Sequence, residues 1–181
     1  RHTRYWRDWS SDVCSSDLSF LGYHGYPATI CTSVNSQVVH GIPGELTLHE
    51  GDIISIDCGA IVDGWHGDSA ISIGIGEISA EDQEMIDVCE NSMWAGIAAA
   101  KVGGRLTDLS AAIEKAITSR GNYGIVREYG GHGIGTAMHQ EPHLLNYGSA
   151  GRGPKLVAGM ALAVEPMIMH GSRSEEHTSE L

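Results

Sequence analysis

The clearest pattern of apolar and polar residues in this chain is a pair of β-branched runs near its middle. The runs Ile53–Val62 and Trp65–Ile73 are separated by Asp63-Gly64, a dipeptide typical of a two-residue type I′ hairpin turn. We therefore predict two antiparallel strands in which Val62 lies opposite Trp65.

Helical spacing follows the hairpin. Ser79 precedes two acidic residues and is typical of a helix N-cap. The first helix is predicted to turn these apolar residues inward: Ile86, Cys89, Met93 and Ile97. A second helix is predicted to start at a Thr107 cap and to end at Gly121. Its inward residues are Leu109, Ile113 and Ile117.

Shorter apolar segments on either side of the helices predict further strands. They lie at Ala28–Val34, Val38-Val39, Tyr123–Tyr129 and Ala161–Val164. The order of strands, then helices, then strands predicts an α+β fold class with helix and sheet mixed in one domain.

The predicted hairpin brings two carboxylates together. Counting outward from the turn, Gly59 faces Asp68 and Asp57 faces Ala70. Opposed residues share a sheet face, so Asp57 and Asp68 are diagonal neighbours, about 7–8 Å apart at the backbone. Such carboxylates repel each other unless a cation lies between them. The alternative is a solvated acidic face without a ligand.

Two later positions offer further side chains that can bind a metal. His132 lies among the glycines of Gly130–Gly135, which permit close approach of the backbone to a ligand. This segment lacks the strand and helix context of a nucleotide-binding loop. Glu165 ends an apolar segment, and a buried carboxylate needs a partner. Together with the two aspartates, these oxygen and imidazole donors suit divalent hydrolytic metals.

Composition narrows the classes of partner. The formal net charge is −12, which argues against nucleic acid or an anionic membrane as the main partner. No apolar stretch reaches the roughly 20 residues of a membrane span. The cysteines are scattered without C-x-x-C spacing, which favours neither a disulfide framework nor a zinc knuckle and predicts reduced thiols.

Five segments resemble the type I methionine aminopeptidases in their order and spacing. They are LGYHGYP (21–27), VVHGIP (38–43), GDIISIDCGAIVDGWHGD (51–68), REYGGHGIGTAMHQEP (127–142) and AVEPM (163–167). The resemblance implies the pita-bread fold, an α+β architecture with a curved antiparallel sheet. It also implies a site between the two halves of that sheet.

The resemblance assigns roles to individual residues. It implies that two divalent ions (Co, Mn, Fe or Zn) are held by Asp57, Asp68, His132 and Glu165. It gives catalytic roles to His40, His139 and Glu165, although His40 or His139 alone would more often be a structural histidine. The implied pocket for a methionine side chain consists of Phe20, Tyr23, Tyr26, Cys31 and Met138.

The implied reaction is hydrolysis of the N-terminal methionine of peptides and nascent chains by a metal-bridged water. The family's fifth ligand, a later glutamate, has no match up to Ser172, so the chain by itself is expected to be inactive. A cytoplasmic monomer is expected, with the ribosome as a candidate partner. The alternatives are a related Xaa-Pro aminopeptidase or prolidase and a non-catalytic pita-bread binding protein.

Both ends of the chain have an unusual coding property. RSEEHTSEL (173–181) and SSDVCSSDL (10–18) can be encoded by opposite strands of one DNA string that looks like a sequencing adaptor. We therefore interpret 1–18 and 173–181 as translated adaptor, and 19–172 as a partial methionine aminopeptidase catalytic domain. Genuine serine-rich tails are the alternative. Under this interpretation, Glu175, Glu176 and His177 are not site residues.

Overall fold

The computed structural model describes residues 17–171, which form nine strands and two α-helices. The strands are β1 (Asp17–Leu18), β2 (Ile30–Val34), β3 (Ile53–Val62), β4 (Trp65–Gly74), β5 (Tyr123–Ile125), β6 (Gly131–Gly133), β7 (Gln140–Leu144), β8 (Leu162–Ala163) and β9 (Ile168–His170). The helices are α1 (Ala80–Ala99) and α2 (Leu106–Thr118), and a 3-10 turn spans Tyr23–Gly25. Helix and antiparallel sheet share one domain, which confirms the α+β class.

The β3–β4 hairpin has the predicted register. Val62 pairs with Trp65 and Gly59 with Asp68, without interruption. Asp63 and Gly64 have φ values of 51° and 80°, as a type I′ turn requires of both central residues. The other edge of β3 pairs with two strands in succession: β2 pairs with Ile54–Cys58, and β1 pairs with Ala60 and Ile61.

Two smaller antiparallel sheets complete the fold. β5 pairs with β9, and β6 lies between β7 and β8. His132 in β6 is therefore opposite His143 on one side and Ala163 on the other. This pairing brings the end of β8, and Glu165 shortly after it, next to His132.

The helices pack against each other, but α1 does so through a face other than the predicted one. Its buried residues are Val88, Ser92 and Gly96. Of the four residues predicted to face inward, Ile86, Cys89 and Met93 are half-buried and Ile97 is 39% exposed. Small side chains on α1 let α2 approach closely, so burial follows the fit to the partner helix and not apolar character alone. In α2 the predicted inward residues are confirmed: Leu109, Ile113 and Ile117 are all buried.

Several predicted boundaries need correction. Helix α1 is capped by Ser79 as predicted, because its hydroxyl accepts a hydrogen bond from the Asp82 amide. The Thr107 cap is wrong: α2 begins at Leu106, and the Asp108 carboxylate accepts a 2.8 Å bond from the amide of its N-cap residue, Arg105. Its last helical residue is Thr118 instead of a residue next to Gly121.

The predicted strand at Val38-Val39 does not form. Instead, this segment leads into a loop that meets β2 through the bond from the Thr32 amide to the Gly41 carbonyl, 2.9 Å long. The segments predicted at 28–34, 123–129 and 161–164 do contain strands, but shorter ones, β2, β5 and β8.

The two terminal segments interpreted as translated adaptor, 1–18 and 173–181, fall almost entirely outside the described residues. The exception is β1, whose residues Asp17 and Leu18 pair with Ile61 and Ala60 although they belong to the segment interpreted as adaptor. The adaptor interpretation stays a prediction. Among residues 17–171, neither helix has the length and apolar character needed to cross a membrane.

Candidate metal centre

The β3–β4 hairpin supplies two carboxylates to the centre. Asp57 and Asp68 lie on the same sheet face, as the register requires. Burial raises the pKa of the Asp57 carboxyl to about 7, with further contributions from the charge and hydrogen bond of Asp68 and from the charge of Glu165. The raised pKa reflects the cost of placing negative charges together in a partly buried site.

Strand β6 supplies the imidazole. His132 is only 5% exposed, and the glycines beside it allow neighbouring backbone to approach. A Cβ on Gly131 would lie 2.1 Å from the Ala163 carbonyl oxygen, and one on Gly133 would lie 2.4 Å from that of Glu141. Nδ1 of His132 is 2.9 Å from the Gly133 carbonyl oxygen, so Nε2 is the nitrogen left for a ligand.

Glu165 completes a compact group of donors. Nε2 of His132 lies 3.2 Å from Oε1 of Glu165 and 3.5 Å from Oδ2 of Asp68. The ligand atoms of Asp68, His132 and Glu165 all lie within 4.8 Å of one another. Burial opposes protonation of His132, but these two carboxylates outweigh it and raise its pKa to about 10. The same negative field that favours an imidazolium also favours a bound cation.

The donor atoms themselves fit a metal ion. Nε2 of His132 and Oε1 of Glu165 are buried, and neither has hydrogen-bond geometry to any partner within residues 17–171, although they lie 3.2 Å apart. Buried polar atoms without partners are costly. A divalent cation between them would satisfy both atoms and neutralise the carboxylates, so the donor set fits the predicted metal.

A cavity of about 450 Å³ opens next to these donors. His40, His132, His139 and Glu165 all line it. The ring centroid of His139 lies 4.3 Å from that of His132, and the ring of His40 lies 6.2 Å from that of Tyr129. Burial, together with the charge of His132, lowers the pKa of His139. Both predicted catalytic histidines thus line the same cavity as His132 and Glu165, and His139 lies beside His132.

The five residues predicted as a methionine pocket also come together. Phe20, Cys31 and Met138 form a buried group, against which Tyr23, Tyr26 and Ile134 pack. We call these six residues the apolar cluster. Cys31 is directly opposite Asp57 in the β2–β3 pairing, and the Tyr23 hydroxyl lies 2.8 Å from Nδ1 of His139. The apolar cluster therefore adjoins both the carboxylates and the cavity.

Sequence reasoning missed some residues around the site. Asn146 is fully buried and donates a 2.8 Å hydrogen bond from Nδ2 to the Glu165 carbonyl oxygen. Tyr129 and His143 line the cavity, although His143 lacked any sequence context that suggested a role. Only the β6–β7 register, which places His143 opposite His132, could have indicated it.

Comparison with known proteins is consistent across sequence and structure. Metallopeptidase family M24 matches residues 11–178. The methionine aminopeptidase of Clostridium acetobutylicum is 55% identical over 85% of this chain, and methionine aminopeptidase 1 of Mycobacterium tuberculosis is 53% identical over 85%. The chain spans 62% and 60% of the lengths of these two relatives.

A solved structure gives the same result for the fold. The crystal structure of methionine aminopeptidase from Rickettsia prowazekii superposes with a TM-score of 0.84 at 40% identity. That match covers 87% of this chain and 63% of the other. The predicted pita-bread arrangement is thereby confirmed for the part of the fold that the chain contains.

Proposed function

Because the chain belongs to metallopeptidase family M24, we propose that it supplies the metal-binding and substrate-binding groups of an aminopeptidase that removes N-terminal methionine. The observation that carries this proposal is the convergence of Asp68, His132 and Glu165 beside the apolar cluster. The names of the two sequence relatives support the substrate class. The chain covers less than two thirds of either relative, so activity and substrate belong to the proposal.

Four side chains would hold the metal. Asp68, His132 and Glu165 form the compact triad, and Asp57 adds a further carboxylate beside it. We propose two divalent ions, because the donor set offers several carboxylate oxygens in addition to one imidazole nitrogen. Cobalt, manganese, iron and zinc all accept such donors. When bound, a divalent ion polarises a carbonyl oxygen and lowers the pKa of water.

The chain's own groups would perform the remaining tasks. Glu165 would accept a proton from water and deliver it to the leaving amine, since a carboxylate in this position can serve as base and then as acid. His40 and His139 line the same cavity. His40 would hydrogen-bond the scissile amide, and His139 would stabilise the oxygen that becomes negative as the carbonyl is attacked.

The apolar cluster accounts for the proposed preference for methionine. Its members combine aromatic rings with a thioether and a thiol, which are polarisable groups that suit a flexible thioether side chain. Met138 is 2% exposed, so it would form the inner wall.

The partners then follow as N-terminal methionine residues of peptides and nascent chains. We further propose a monomer in the cytoplasm, with the ribosome as a candidate partner.

Peptide binding tests the substrate class. The Mn²⁺-loaded 181-residue chain would be titrated calorimetrically with Met-Ala-Ser, Ala-Pro-Ser and N-acetyl-Met-Ala-Ser. Met-Ala-Ser is expected to bind at least about tenfold more tightly than the other two, a difference of about 1.4 kcal/mol. The acetylated peptide is the control, because an aminopeptidase site requires a free α-amine. Tighter binding of Ala-Pro-Ser would favour a prolidase-like enzyme, and binding of none would contradict the proposal.

Turnover is a separate question. We predict no methionine release by the purified chain, because these four ligands alone are expected to hold the ions too weakly for catalysis. Chromatographic detection of free methionine after incubation with Met-Ala-Ser and Mn²⁺ checks this. Release above that of a Glu165→Gln variant would contradict the predicted inactivity while leaving the substrate assignment in place.

A further inference from the structure

One hydrogen bond joins the apolar cluster to the catalytic cavity. The hydroxyl of Tyr23 lies 2.8 Å from Nδ1 of His139, across a large separation in sequence. We propose that Tyr23 is a positioning residue: it donates this hydrogen bond to Nδ1 and thereby keeps the proton of the neutral His139 imidazole on Nε2.

The direction of the bond follows from the two groups. A neutral imidazole has one N–H donor and one nitrogen acceptor, and its partner decides which nitrogen carries the proton. A phenol is a far stronger acid than an imidazole N–H, with a pKa of about 10, and the imidazole nitrogen is a better acceptor than the phenol oxygen. The more stable pairing therefore has Tyr23 donating and Nδ1 accepting.

The tyrosine is held where this bond requires it. The partly buried Tyr23 packs against the buried group that Phe20, Cys31 and Met138 form in the apolar cluster. Its amide donates to the Phe20 carbonyl and its carbonyl accepts from the Tyr26 amide, both at 2.9 Å. The ring centroids of Tyr23 and His139 are 5.4 Å apart. Packing on one side and these backbone bonds limit how far the hydroxyl can turn away from His139.

The nearby Tyr26 behaves differently. It packs in the same cluster, but its hydroxyl donates to backbone carbonyls, at 2.8 Å to Gly41 and 3.2 Å to Ile30. It makes no hydrogen bond to His139 among the bonds of the described residues. The two tyrosines therefore pack in the same cluster, but their hydroxyls have different hydrogen-bond partners. This difference makes Tyr26 a matched control.

The tautomer decides what His139 can do in the cavity. With Nδ1 engaged by Tyr23, only Nε2 remains for a ligand, and a protonated Nε2 is a donor. A donor stabilises a developing negative oxygen, whereas an unprotonated nitrogen would repel it. This consequence for the substrate rests on the proposed function. The tautomer itself does not, and it can be measured without substrate or metal.

Nitrogen-15 NMR of the imidazole rings tests the proposal on the whole 181-residue chain, with histidines labelled and metals removed by a chelator. At pH 8.5, above the ordinary histidine pKa of about 6.5, the ring is neutral. We expect His139 to show a protonated Nε2 and an unprotonated, hydrogen-bonded Nδ1. In Tyr23→Phe, which keeps the ring and its packing, the Nδ1 resonance is expected to move toward the protonated range. In Tyr26→Phe it is expected to stay.

Three results would overturn the proposal. The first is a protonated Nδ1 in the unmodified chain, which is decisive even if a variant fails to fold. The second is an unchanged His139 pattern in Tyr23→Phe. The third is an equal shift in both variants, which would mean that any loss of a hydroxyl loosens the cluster. The NMR experiment uses neither peptide nor metal, so a failed peptide-binding test would not change its result. The two proposals can therefore fail separately.

Discussion

Gly59 links the hairpin to the apolar cluster through the space it leaves. It lies in β3 directly opposite Asp68. A Cβ at this position would lie 2.8 Å from the Ser19 Cβ, 3.0 Å from Cε1 of Phe20 and 3.1 Å from Cε of Met138. These distances are too short for ordinary packing. Phe20 and Met138, which belong to the proposed pocket, therefore fill the space that a side chain at position 59 would need.

Replacing Gly59 by alanine should therefore disturb the cluster. We expect Gly59→Ala to reduce the free energy of unfolding by about 1–3 kcal/mol, the usual cost of overpacking, as measured by urea denaturation. The control is Gly67→Ala on the neighbouring strand, where a Cβ would meet only the Ala60 carbonyl oxygen at 4.0 Å. Equal stability of the two variants would contradict the packing described for Gly59.

How far single residues could be predicted depends on the range of the interactions that place them. The shared face of Asp57 and Asp68 followed from the sequence, because a two-residue Asp-Gly turn sets the register of both strands. The approach of His132 and Glu165 to those aspartates depends on pairing between β6 and β8 and on packing between sheets. No local pattern encodes that approach, which was suggested by the shared metal-binding chemistry of the four side chains and by the family resemblance.

At the scale of elements, the contact between the two helices rests on small residues. Gly96 of α1 faces Ile113 of α2, and a Cβ on Gly96 would lie 2.6 Å from Cγ1 and 2.8 Å from Cδ1 of that isoleucine. Ile113 has no exposed surface. Apolar spacing alone selected another face of α1, because the buried stripe of Val88, Ser92 and Gly96 includes residues that do not look like a core.

The helix contact predicts an inverted effect of glycine replacement. In an exposed helix, alanine is about 1 kcal/mol more favourable than glycine. Gly96→Ala is instead expected to reduce the free energy of unfolding by about 1–3 kcal/mol, because the added methyl forces Ile113 or the helix axis to move. The exposed position Ala98 provides the control, since Ala98→Gly should cost only the propensity difference. A stabilised Gly96→Ala variant in urea denaturation would refute the close packing.

At the scale of the whole molecule, the candidate ligands come from separate parts of the fold. Asp57 and Asp68 lie in the hairpin sheet, while His132 lies in the sheet of β6, β7 and β8 and Glu165 follows it. A cation bound by all four would tie these sheets together and offset the burial and the carboxylate repulsion that raise the pKa of Asp57. A ligand bound only by the folded state stabilises it by about 2.7 kcal/mol at a hundred times its Kd.

The measurement that tests this centre most directly is calorimetric titration of the chelator-treated chain with Mn²⁺, compared between Asp68→Asn and Asp63→Asn. Asp68 belongs to the triad, whereas Asp63 is an exposed acid in the turn of the same hairpin, where asparagine also suits the positive φ. We predict saturable binding by the unmodified chain and by Asp63→Asn, and affinity at least about tenfold weaker in Asp68→Asn, a difference of about 1.4 kcal/mol. Equal affinity of all three proteins, or no saturable binding by any, would contradict the metal centre.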